Sequence, residues 1–102
     1  RMLIRSQDRK QLHPLNSIVI LPRHKGELNS KNFIEGYQVV IFIGSDGDAI
    51  LGKYSTEEKA IKVLDMIANF YSNFKFCEIW GSDMTEFYDA IFQMPQDDEV
   101  KI

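Results

Sequence analysis

Three neighbouring side chains, Arg23, His24 and Lys25, followed by Gly26, form the stretch of this chain best suited to holding an anion. An arginine offers a planar fork of donors to phosphate, a lysine offers a point charge, and a glycine lets backbone approach closely. A second set lies further on, where Phe74, Phe76 and Trp80 surround Lys75. Aromatic faces stack on nucleobases while a nearby cation meets the phosphate. If the ligand is a nucleotide, the binding residues are Arg23 and Lys25 on phosphate with His24 between them, and Phe76 or Trp80 on the base. Each set also has a plainer reading: the basic run suits a solvated loop, and the aromatic series suits core or oligomer packing.

Other reactive residues form no such constellation. Nucleophilic catalysis needs Ser or Cys beside a base, and Cys77 has no sequence link to either His13 or His24. A lone cysteine is more often a small core hydrophobe. Neither histidine stands in zinc-ligand spacing, so no metal or other cofactor is expected. Ser45-Asp-Gly-Asp opens like a calcium loop, but the apolar Ala49, Ile50 and Leu51 follow it, and a hairpin turn is the better reading. The chain is therefore read as a binding protein and not an enzyme.

Composition agrees with one folded domain spanning 1–102. Hydrophobic residues make up 44% and charged residues 26%, and seven Phe and four Tyr set the chain apart from disordered segments. Met2 reads as the initiator, with Arg1 an addition before it. The single cysteine forbids an intramolecular disulfide and suits a cytoplasmic setting. No apolar run approaches the roughly 20 residues that span a bilayer. Charge is uneven: seven Lys or Arg stand against Asp8 and Glu27 up to Lys31, and six acids stand against Lys101 from Asp83 onward. With a net charge of −3 and no helix-turn-helix or zinc pattern, DNA binding is a poor fit.

The elements that must position these residues follow from patterning. Met2–Ser6 and Ser17–Leu21 read as strands, the second stopped by Pro22, and Arg23–Asn32 as a loop. Tyr37–Gly44 is the strongest strand. Its run Val39–Ile43 is apolar toward both faces, so it is covered on both sides or buried in an interface. After the Ser45–Asp48 turn, Ala49–Tyr54 returns as its partner. Ser55-Thr-Glu-Glu reads as a capping box with Ser55 as N-cap, opening a helix to about Ser72. Its core face is read as Ala60, Ile61, Leu64, Ile67, Ala68 and Tyr71. Phe74–Trp80 fits either a strand or a further helical stretch, Gly81–Met84 a bend, and Tyr88–Met94 a last strand or, over Asp83–Phe92, a helix. The tail from Gln96 reads as mobile. The fold class expected is α+β, an antiparallel sheet of about five strands packed on one main helix, with a second short helix as the alternative after Asn73.

Three ordered segments, MLIRSQD, LGKYSTEEKAIKVLDMI and IFQMPQDDEV, resemble a group of small proteins of Firmicute bacteria and their phages and prophages. The likeness covers about a third of the chain. Between Arg23 and Gly36, and between Asn73 and Tyr88, this chain carries extra residues relative to that pattern. The resemblance implies a small, non-enzymatic phage-type protein of the anti-defence kind, which sequesters a phosphorylated nucleotide immune signal as a homo-oligomer in the host cytosol. Two other roles fit the same origin: an inhibitor that meets a host protein through its acidic C-terminal region, and a structural or assembly protein of the particle.

Overall fold

In a computed structural model of the chain, residues 1–24, 34–80 and 90–102 are described, with 76–80 described by their backbone. The fold is α+β. Among the described residues, six strands form two three-stranded sheets, and one α-helix packs against both. The first sheet has the order β2-β1-β6, from Leu12–Pro14, Met2–Arg5 and Ala90–Gln93; the second has the order β3-β4-β5, from Ile18–His24, Ile34–Phe42 and Asp48–Tyr54.

The six described strands agree roughly with the expected number, but they form two sheets instead of one, and the first sheet is mixed. β1 pairs antiparallel with β2 but parallel with β6, joining the two ends of the chain. Neither pairing has a local signature: β2 is three residues ending in proline, and parallel partners lie far apart in sequence. Over its described residues, the last strand is the strand reading of Tyr88–Met94, and the helical alternative does not hold there.

Pro22 does not stop β3, which runs on to His24 and takes Arg23 and His24 out of the expected loop. As an edge strand β3 has one neighbour, and a residue without an N–H is tolerated there. The ladder slips directly after Arg23, which pairs with Gly36 while His24 pairs with Ile34. Central β4 is buried at three consecutive residues, Val39, Val40 and Ile41, which is how a strand apolar toward both faces behaves. Between β4 and β5 a 3-10 turn, Gly44–Asp46, reverses the chain, using positive φ at Gly44 and Gly47.

The helix α1, Glu57–Trp80, is longer than expected, and Phe74–Trp80 continues it instead of forming a strand. Its cap is Thr56 and not Ser55: the Thr56 hydroxyl accepts from the Lys59 amide at 3.1 Å, and the Ala60 amide bonds the Thr56 carbonyl. The core-facing stripe is also turned from the expected one. Ala60, Val63 and Ile67 are buried and Phe70 and Phe74 pack beside them, while Ile61 and Tyr71 are exposed. Two apolar rows compete on this helix, and the larger set of contacts on the sheets decides between them.

One core joins both sheets and the helix: Met2, Ile4, Phe92 and Met94 from the first sheet, Val39, Ile41, Leu51 and Tyr54 from the second, the helix stripe, and Val100. The Phe70 and Phe92 rings meet edge to face at 5.5 Å. Val100 corrects the mobile tail, since a 3-10 turn at Asp97–Glu99 brings it into the core at 3% exposure. No helix in the described residues is long and apolar enough to cross a membrane.

Candidate functional site

The three quoted segments meet in space, at a polar seam that joins the two sheets. After β1, Ser6 is buried and its hydroxyl donates to the Asp8 carboxylate while accepting from the Gln11 amide. Arg9 takes the left-handed conformation, φ 66°, and completes the turn. This geometry throws Gln7 across to the edge of β5. Its amide donates to the Leu51 carbonyl at 2.7 Å, and its side chain both accepts from the Lys53 amide at 2.9 Å and donates to the Lys53 carbonyl at 3.1 Å. A side-chain amide here stands in for a missing neighbouring strand.

The C-terminal segment closes the seam from the other side. The Gln93 side chain donates to the Ser6 carbonyl, the Gln96 side chain donates to the Gln7 carbonyl, and the Tyr54 hydroxyl donates to the Pro95 carbonyl at 2.7 Å. Burial first, and then the carboxylates of Asp97 and Glu99, push the Tyr54 phenol well above its usual range, so it stays a donor. Two glycines make room for it. A Cβ on Gly36 would stand 2.8 Å from the Tyr54 carbonyl oxygen, and one on Gly52 would press on the Tyr54 ring.

At the helix start, Asp97 accepts from the Ser55 amide at 2.8 Å and the Ser55 hydroxyl at 3.1 Å, and pairs with Lys59 at 3.5 Å. The Ser55 amide is the main reason its carboxyl sits below the usual range. The seam thus consumes nearly all of its own polar groups; among the described residues, Gln93 Oε1 is the buried side-chain atom left without a partner. It is a clasp, and its chemistry is structural.

The opposite surface of the second sheet has the reverse character. Strand alternation places Ile18, Ile20, Val39 and Ile41 toward the helix, and Val19, Leu21, Arg23, Gln38, Val40, Phe42 and Ile50 on the outer face. Leu21, Phe42 and Ile50 are 39–42% exposed there, around a Val40 that is itself buried. Arg23 lies half-buried at one corner of this face, and His24 next to it is exposed.

Of the predicted site residues, Arg23 and His24 are therefore adjacent at the end of β3. Lys25 and the side chains of Phe76 and Trp80 lie outside the described residues. The last turns of α1 belong to the helix side of the sheet, and Arg23 to the other, so one chain does not bring Arg23 and that helix end onto a common face. Lys75 is placed with its ammonium 5.7 Å from the Tyr71 ring centroid, and Phe74 packs on the core.

Beside β5, an open groove of about 600 Å³ is lined by Gln7, Asp8, Gln11 and the strand from Asp48 to Lys53. A smaller hollow of about 200 Å³ lies between Pro14, Leu15 and the β4 turn at Phe42 and Ile43. Sequence reading missed the seam glutamines and the outer face. The first left no local signal, and the second left one in the apolar run 18–21, whose alternate residues must fall on the two faces of β3.

Comparison with protein-family models, with curated proteins and with solved structures finds no match to this chain.

Proposed function

We propose that this chain is a non-enzymatic binding protein of the phage anti-defence kind, which works as a homo-oligomer in the host cytosol and sequesters a small phosphorylated nucleotide. The observation that carries the reading is the corner where Arg23 stands half-buried on an exposed apolar face, next to an exposed His24 and a slip in the ladder. An arginine at such a border can lay its stem on apolar surface and offer its guanidinium fork to a phosphate. The apolar side chains beside it offer a surface for a base or ribose. Lys25 follows in sequence and would add a point charge for the same phosphate.

The reading as an inhibitor acting through acidic residues is weaker, because Asp97 and Glu99 already serve internal contacts at Ser55, Lys59 and Gln96.

Isothermal titration with a panel of linear and cyclic adenine nucleotides tests the proposal. Arg23→Ala is expected to weaken binding by about 2 kcal/mol, roughly thirtyfold in Kd, with an unchanged melting temperature. A large thermal loss with unchanged affinity would assign Arg23 to the fold instead.

A further inference from the structure

The outer face of the second sheet is built symmetrically about one rung. Val40 stands at its middle, paired with Val19 on β3 and Ile50 on β5. Two residues to either side on β4 are Gln38 and Phe42, paired on β5 with Lys53 and Asp48. From Ile50 to Asp48 is two positions and from Ile50 to Lys53 is three. The register shift between Val39 and Val40 absorbs the difference, because Leu51 is the extra residue and is buried in the core. The bulge thus keeps Lys53 and Asp48 on one face at equal register from the rung. Both are exposed, and among the described residues neither side chain has a hydrogen bond or ion pair.

A face with an apolar centre, a cation on one side and an anion at the matching place on the other is complementary to itself. A half-turn about an axis along the rung lays Val19, Val40 and Ile50 over the same residues of a second copy. It also sets each Lys53 over the other chain's Asp48. Isologous contacts require this self-complementarity, and aligned sheet packing supplies the geometry.

We infer that the outer face of β3, β4 and β5 is a two-fold interface whose occupant is a second copy of this chain, held in register by reciprocal Lys53 and Asp48 pairs. This deepens the oligomeric part of the proposed function and does not depend on which ligand is held. Arg23 lies beyond the paired rows, at the rim, where it stays open to a ligand. Pairing between two copies follows mass action, so the dimer fraction is expected to rise with protein concentration.

Sedimentation velocity of the full chain over a wide concentration range, at low and high salt, tests the inference. Asp48→Lys alone and Lys53→Asp alone set like charges opposite each other, and each is expected to raise the dimer dissociation constant about tenfold or more. The double swap D48K/K53D restores it to within about threefold, a rescue that a folding defect could not produce. Ile50→Asp is expected to abolish pairing with an unchanged circular dichroism spectrum, and it keeps the test decisive if Lys53→Asp disturbs the β5 edge. A monomer at every concentration, or an oligomer indifferent to both the charge swap and Ile50→Asp, would overturn the proposal. Arg23→Ala leaves the dimer intact, so failure of pairing and failure of nucleotide binding are read separately.

Discussion

The seam and the outer face of the second sheet both rest on β5, yet they treat polar and apolar groups in opposite ways. At the seam, the side-chain donors of Gln7, Gln93, Gln96 and Tyr54 find partners within the chain. On the outer face, Leu21, Phe42 and Ile50 stay exposed around a buried Val40. A clasp that has used its donors cannot recognise anything else, whereas an apolar face with open charges at its borders has free energy left to gain by being covered. The difference separates what holds this fold from what it offers to others.

The comparison breaks most sharply by truncating one residue from each side of the second sheet. Ile41→Ala, on the buried side, is expected to cost about 4 kcal/mol, and Ile50→Ala, on the outer side, less than about 1 kcal/mol, both read from urea unfolding of dilute protein. Equal losses would mean that the outer face is part of the core. A smaller effect comes from the clasp itself. Gln7→Ala removes both contacts to the Lys53 backbone and a donor to the Pro95 carbonyl, and is expected to cost about 2 kcal/mol while leaving nucleotide affinity unchanged. If affinity fell with stability unchanged, the seam would be a site and not a clasp.

The smallest effect sharpens the picture at the helix start. Because the Ser55 amide holds the Asp97 carboxyl below its ordinary value, its contribution is fully present above the unfolded carboxylate pKa of about 3.9 and is lost as pH falls through the lower folded value. The carboxylate is partly solvated, so the contribution is screened to below about 1 kcal/mol. Urea midpoints of wild type and Asp97→Asn should differ slightly at neutral pH and converge below about pH 4. A gap that widened on acidification would contradict the assignment.

Much of the architecture was legible where the signal is local. The turn at Ser45–Asp48, the start of the helix within one residue and the doubly apolar run of β4 all follow from neighbouring residues. Pairing between the chain ends was not legible, because parallel β1 and β6 contact residues nearly a chain length apart and leave no periodic trace. The helix stripe was misplaced because two apolar rows run along α1 and only the sheets choose between them. At the site, Arg23 and His24 were legible as chemistry but were read as loop residues, since an edge strand accepts a proline that a central strand would refuse. The clasp went unread for a different reason: an uncharged glutamine announces neither strand nor helix, and its role exists only when two sheets approach.

The central claim is that this molecule acts by holding a phosphorylated nucleotide as an oligomer. Native mass spectrometry of the protein purified from cells with active nucleotide immunity tests it most directly. The account predicts an oligomer carrying the mass excess of a nucleotide, released on denaturation and diminished in Arg23→Ala. A ligand-free monomer, or turnover of the compound offered to it, would contradict the claim.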